Sequence, residues 1–542
     1  MLATVVSVVV PGTASAGGAQ RLPALAPAAQ DSLSRALARG EISEAVYSLE
    51  RARALFAPRA VARRFDGLER TDPRSATLVL RDLALRLGEL DPARRAAAEA
   101  LLARPDDGAA DPGEQGYSVP AAAPLCSANV CVYWVPTTPD APPALDTDAN
   151  GVPDKVDSTL RVFEEVWQKE VVEYGYRPPK PDGSSPNHGP DDRIDVYLAD
   201  LGDDGIYGYC TTDDPTAAQT PDGPWDVSAY CALDNDFDPA QFAGAASGEA
   251  ALKVTAAHEF FHAIQFGYDF LEDVWALEGT AVWMEDEVYD DINDSYQYLE
   301  ESALRQPRIP LDLAIDPGNP LGGFQYGAFV FWRFLSESFG GPEIIRRVWE
   351  LADGSPAGPD QYSLQAVDTA LRERGSRART AFARFGAVNA HPGSFYEEGS
   401  SYPATPIAVR RTLSARKPRA TGSPRLDHLT TWYGSFAPGP SAGPAARLRL
   451  TLDLPARTRG AEATLVVVPR NGEPRLVPIA LDEQGDARKT VPFARADVKA
   501  VELVLSNASG RYRCWERMPL SCQGSPRDDG QQYRYEAELV GA

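Results

Sequence analysis

The pattern of apolar and polar positions changes character along the chain, and each change marks a candidate unit. Residues 31–56 and 77–102 place apolar side chains at three- and four-residue spacing among many Arg and Ala, which predicts amphipathic helices. This helical leader runs into a Pro-, Gly- and Asp-rich stretch from 104 to 124 that reads as a linker open to processing. From about 124 to 400, short strand-like runs (VCVYWV, RIDVYLADL) mix with strongly helical ones (DSTLRVFEEVWQKEVVEYG, ALKVTAAHEFFHAIQF, WALEGTAVWMEDEVY, YGAFVFWRFLSESFG, PEIIRRVWELA), the strands lying toward the start. Strands first and helices afterwards predict an α+β domain. Beyond about 408 the pattern alternates residue by residue in short runs (RLRLTLDL, ATLVVVP, AVELVLSN, YRYEAELV) separated by Gly and Pro, which predicts a β-sandwich.

Composition narrows the setting. No apolar run approaches the roughly 20 residues of a membrane span. The net charge of -24 opposes binding to nucleic acid or to anionic lipid. The apolar residues 2–10 lead into Thr13-Ala14-Ser15-Ala16, small residues of the kind found at a signal-peptidase site, although no Lys or Arg precedes them. Six cysteines fall in three sequence-local couples, 126 with 131, 210 with 231 and 514 with 522. An even count in an exported chain predicts disulfides, with short loops the simplest pairing. The expected organisation is a signal peptide over 1–16, a helical leader over 17–115, an α+β domain over 124–405 and a β-sandwich over 408–542.

The chemistry centres on HEFFH at 258–262. On a helix, positions i and i+4 share a face, so His258 and His262 can direct one ring nitrogen each at a single Zn²⁺. Glu259 faces the edge of the same site and is placed to activate the attacking water. Val254, Ala257, Phe261 and Ile264 make the opposing apolar stripe. A metzincin would need Gly at 265 and His at 268, where Gln265 and Tyr268 stand, so that class is excluded. Downstream, WALEGTAVWMEDE carries Glu278 followed by Gly279 and resembles the ligand helix of gluzincins such as thermolysin-like and aminopeptidase-like enzymes. That resemblance implies Glu278 as third ligand. Glu285 is the rival, about 10 Å further along the helix axis. The same resemblance suggests Tyr326, in FQYGAFVFWRF, as the donor to the developing oxyanion, against the plainer reading of a core tyrosine. His188, His391 and His428 stand in loop-like contexts and read as surface groups.

A second motif, DTDANGVPDKVD at 146–157, fits an EF-hand calcium loop with Asp146, Asp148, Asn150, the Val152 carbonyl, Asp154 and Asp157 as ligands and Gly151 at the turn. Asp157 replaces the usual Glu at the last place, and no helix precedes the loop. Asp234, Asp236 and Asp238 form a weaker acidic group with no role assigned.

Together the signal-like start, the leader, DxDxNGxPD, Tyr207 to Tyr209, HEFFHAIQFGYD and the EGTA helix resemble a family of secreted bacterial proteins assigned by motif as zinc metalloproteases, over roughly 30–400. The resemblance implies a zincin-like catalytic domain acting on protein or peptide substrates, with Zn²⁺ and a structural Ca²⁺. A leader between signal and catalytic region suggests a propeptide that covers the cleft until removed, and it carries no cysteine to silence zinc. Two rivals stay open: a secreted binding or adhesion protein with purely structural metals, and an exopeptidase using Glu285, Asp286 and Glu287 to hold a free amino terminus.

Overall fold

In the computed structural model the described residues are 32–65, 73–107, 116–189, 191–214, 223–242, 246–314 and 323–541. The signal segment 1–16 and the 108–115 part of the linker lie outside them. The protein is a mixed α+β structure with β-sheets at its C-terminal end.

Each of the two long leader helices divides. Ser32–Ala38 (α1) stops at Gly40, whose φ of +68° the helix cannot continue, and Glu44–Phe56 (α2) restarts under the Ser43 cap. Ala76–Ala84 (α3) ends before Pro92–Leu102 (α4), which starts where the Asp91 carboxylate accepts from the Ala93 and Arg94 amides and Pro92 presets the first turn. Within the leader, Leu33, Ala36, Ile42, Tyr47 and Phe65 form only a small buried cluster of their own. Leu49, Leu55, Leu80 and Leu83 belong to the same buried cluster as Val196, Tyr230 and Phe266 of the following domain. Arg104, expected in an open linker, is instead buried: its guanidinium is paired with Asp182, Asp195 and Asp213, three acids that no local pattern links to it.

The central sheet contains Leu125–Cys126 (β1), Val130–Tyr133 (β2), Ile194–Ala199 (β3), Gly208–Thr211 (β4) and Tyr230–Asp234 (β5), in the order β1-β2-β3-β5-β4. β2, β3 and β5 run parallel and are buried along their whole length, the expected state of strands covered on both faces. β1 and β4 are the antiparallel edge strands. Asp154–Trp167 (α5) covers the sheet and passes into a π-helical turn, Gln168–Glu173. Glu249–Asp269 (α6) lies against β4 and β5, and Val274–Val288 (α7) packs on α6. The predicted aromatic helix is broken at Ala328 into Phe324–Gly327 (α8) and Phe329–Phe339 (α9); Glu343–Ala352 (α10), Ser363–Glu373 (α11) and Ala378–Val388 (α12) complete the bundle.

The C-terminal region contains a four-stranded sheet, ordered Asp486–Pro492, Arg447–Asp453, Arg534–Val540, Arg419–Gly422, and a five-stranded one, ordered Arg475–Pro478, Ala461–Pro469, Val498–Asn507, Thr430–Pro438, Val409–Leu413. Leu448, Leu450 and Leu452 from the first and Leu465, Leu503 and Leu505 from the second share one buried core. The alternation in RLRLTLDL is thus the alternation of core and solvent faces. All three cysteine couples form disulfides. Among the described residues, no helix is long and apolar enough to cross a membrane.

Candidate metal centre

Helix α6 presents His258 and His262 from one face with their rings edge to face, 4.7 Å between centroids. Their Nε2 atoms are 3.0 Å apart. Helix α7 brings the buried Glu278 Oε2 to 3.4 Å from His258 Nε2 and 3.7 Å from His262 Nε2. Among the described residues, these three form the group whose potential ligand atoms converge within 4.8 Å of one another. The close approach that seats Glu278 explains Gly279: a Cβ there would fall 2.7 Å from the Trp332 Nε1 of α9.

The far side of each imidazole is already committed. His258 Nδ1 lies 2.6 Å from Glu285 Oε1, and His262 Nδ1 lies 2.6 Å from Gln265 Oε1. The Gln265 amide can present only its oxygen, because its nitrogen donates to the Leu277 carbonyl and to Thr280 Oγ1, both at 2.9 Å. Both Nδ1 atoms therefore carry the proton, which leaves both Nε2 lone pairs aimed into one space beside a buried Glu278 Oε2 that makes no hydrogen bond. Three acceptors without a donor in a buried pocket are costly unless a cation joins them. The surrounding carboxylates favour positive charge at this spot, on a bound cation or, without one, on the imidazole. Burial opposes charge on His258, yet Glu278 and Glu285 push its pKa well above the usual histidine value. Burial likewise raises the Glu278 carboxyl, but the facing histidines draw it down to about 2. Burial pushes Glu285 up to about 7 against the pull of His258. The donor set, two imidazoles and a carboxylate with committed second partners, suits a tetrahedral N/O metal such as zinc.

Helical spacing for the histidines and the gluzincin resemblance for Glu278 bring the three ligand positions together in the sequence, which offers Gln265 only as an exclusion and Glu285 only as a rival ligand or an amino-terminus anchor. Their offsets, three residues beyond His262 on the same helix and about two turns beyond Glu278 on the next, were the available signal.

Glu259 and Tyr326 line the same small cavity as His258, together with Glu285, Asp294, Gln297, Tyr298 and two leader residues, Pro73 and Arg74. Glu259 is buried, and its Oε2 accepts from Thr77 Oγ1 of α3 at 2.9 Å. Tyr326 is buried and stacked on Tyr298, with ring centroids 5.1 Å apart, and its hydroxyl donates to the Arg74 carbonyl at 2.9 Å. A Cβ at the adjacent Gly327 would fall 2.4 Å from the Glu301 carbonyl oxygen, so the Tyr-Gly step lets α8 sit against that loop. The Cys210–Cys231 disulfide ties β4 to β5 beneath α6.

The acidic loop at 146–157 closes on itself. Asp146 accepts from the Asn150 and Gly151 amides at 3.1 and 2.9 Å, and Gly151 takes φ +86° at the turn. Asn150 directs its Nδ2 toward Asp148 and Asp157, and Asp154 accepts from the Thr147 amide at 2.8 Å. Asn150 thus touches Asp146, Asp148 and Asp157, presenting nitrogen rather than oxygen to the last two, while Asp154 turns to Thr147. Asp234 serves the backbone, accepting from the Gly202 and Phe237 amides, both at 2.6 Å.

His428 is not a surface group. It is 2% exposed and held between Asp312 Oδ1 at 3.0 Å and Asp529 Oδ1 at 2.7 Å, residues more than 100 positions away in each direction. His391 lies 2.9 Å from Glu502.

No model of a known protein family matches the chain, and no curated protein does. Among solved structures, the chain is similar to a mutant of a periplasmic inhibitor of g-type lysozyme from Escherichia coli, at 12% identity over 24% of this chain and 97% of that one, with a TM-score of 0.15. It is also similar to BtGH115A, a family GH115 4-O-methyl-α-glucuronidase with specificity for decorated arabinogalactans, at 9% identity over 54% of this chain and 38% of that one, again with a TM-score of 0.15. Neither likeness bears on the site.

Proposed function

We propose that this chain is an exported zinc-dependent peptidase with a zincin-like catalytic domain, acting as an endopeptidase on protein or peptide substrates. The observation that carries the reading is the pair of Nε2 lone pairs converging on an unbonded, buried Glu278 oxygen, with Glu259 beside them. His258, His262 and Glu278 would hold Zn²⁺. When bound, the metal would polarise the scissile carbonyl and lower the pKa of an attacking water. Glu259 accepts that water's proton and returns it to the leaving amine. Tyr326, which lines the same cavity, donates its hydroxyl hydrogen bond to the carbonyl oxygen as negative charge develops there. Glu285 and Gln265 fix the ring orientation and tautomer of the two histidines. The 146–157 loop would hold a structural Ca²⁺ once the Asn150 amide rotates to offer its oxygen.

The test is metal content and hydrolysis of unfolded casein by the full chain, before and after chelation and with zinc restored. One equivalent of zinc and cleavage that returns only with zinc support the reading; a protein that binds no zinc refutes it. A secreted binding protein with structural metal would bind zinc and leave casein intact.

A further inference from the structure

The leader sits in the cleft in the manner of a bound peptide. Thr77 Oγ1 donates to Glu259 Oε2 at 2.9 Å and accepts from the Cys210 amide of edge strand β4 at 3.0 Å. Three residues earlier, the Arg74 carbonyl takes the Tyr326 hydroxyl at 2.9 Å. A backbone carbonyl on the candidate oxyanion donor and a hydroxyl on the candidate base are the two contacts a substrate carbonyl and its attacking water would make. With the leader in place, the cavity beside His258 and Glu259 has only about 70 Å³ left, room for water and not for a peptide. The leader is also anchored. Arg81 of α3 is fully buried and donates to the Phe270 and Glu272 carbonyls at 2.6 and 2.8 Å, and Arg104 is enclosed by its three aspartates. The exposed Arg74 guanidinium lies over the rings of Tyr298 and Tyr326, at 5.9 and 6.0 Å from their centroids, at a mouth that Glu285 and Asp294 also line.

Resting on the peptidase reading above, we propose that Arg74–Thr77 is a built-in pseudosubstrate that keeps the cleft closed, and that the mouth occupied by Arg74 accepts a basic side chain of the true substrate. Aromatic faces flanked by carboxylates attract a guanidinium or ammonium group and repel an acidic one. Anchoring through Arg81 and Arg104 means that opening requires displacement of this short segment, while the rest of the leader stays docked.

The experiment uses full-length, zinc-loaded protein. Thr77→Asp sets a carboxylate against Glu259 and should eject the segment; Thr77→Val removes only its hydrogen bonds and keeps the shape. Each is compared with wild type on quenched peptides that differ at one central residue, Arg, Leu or Glu, and by the rate at which a chromogenic chelator strips the zinc. Zinc-dependent cleavage about tenfold or more faster in Thr77→Asp, the effect of a hydrogen bond to a charged group, is expected, with a smaller rise in Thr77→Val and zinc release faster in the same order. The Arg peptide should be cut about two- to fivefold faster than the Leu peptide, as an exposed cation–aromatic contact provides, and the Glu peptide slowest. Zinc-dependent cleavage and zinc release at wild-type rates in both variants would overturn the plug and leave the peptidase standing. Faster zinc release with no cleavage by any form would support the plug and overturn the peptidase. Equal rates on the three peptides would overturn the basic mouth.

Discussion

Two buried histidine settings in this molecule use similar residues to opposite ends. His428 has an aspartate on each ring nitrogen, and Asp312 also accepts from the Tyr512 hydroxyl at 2.7 Å and the Ser521 amide at 3.0 Å. Burial opposes its charge, but Asp312 and Asp529 outweigh that and raise its pKa to about 10, so at neutral pH it is a cation in a finished ion pair. Around His258 and His262 the outer nitrogens are equally well satisfied, yet the inner ones face each other and a carboxylate oxygen that makes no hydrogen bond. Histidine and carboxylate content does not distinguish the two settings. What separates them is whether the geometry leaves converging acceptors.

The contrast can be broken most severely at the metal group itself. His262→Ala should abolish stoichiometric zinc binding, read by metal analysis, and with it all zinc-dependent cleavage; His428→Leu should leave zinc content untouched. The second variant should instead destabilise the fold by about 3 to 5 kcal/mol in denaturant titration, because removing one partner leaves Asp312 buried and uncompensated. The same pair predicts a pH dependence. A histidine whose folded pKa is raised to about 10 contributes stability that is complete below its unfolded value near 6.5 and is lost as pH rises through about 10. Thermal midpoints should therefore fall from pH 7 to pH 10 in wild type, and that part of the slope should vanish in His428→Leu. A third variant sharpens the comparison: Gln265→Leu removes the acceptor at His262 Nδ1 and should weaken zinc affinity about 10- to 100-fold in competitive chelator titration, with the fold intact. The smallest effect belongs to the acidic loop. Millimolar calcium should raise the thermal midpoint by a few degrees through preferential binding to the native state, and Asp148→Ala should remove that rise.

How much could be read in advance follows from the distance over which each contact reaches. The HEFFH face and the Glu278-Gly279 step are local to one helix pair, so helical spacing brings His258 and His262 together and the gluzincin resemblance adds Glu278. The disulfides are equally local. The alternation beyond 408 gives the two C-terminal sheets because each strand has one face in a shared core. Arg104 was legible only as a linker residue, since its three aspartates lie 78 to 109 residues downstream. His428 is hidden for the same reason, with partners 116 and 101 residues away. Thr77 meets Glu259 across 182 residues, and nothing in a leader helix marks the one hydroxyl that enters the cleft.

The central claim, that Glu259 does chemistry at a zinc held by its neighbours, is tested most directly by Glu259→Gln, made in wild type and in the Thr77→Asp background, with zinc content and casein cleavage measured on the same samples. One equivalent of zinc in every sample and a loss of about 10²- to 10⁴-fold in cleavage on losing the base are expected. Undiminished cleavage with zinc in place would contradict the claim.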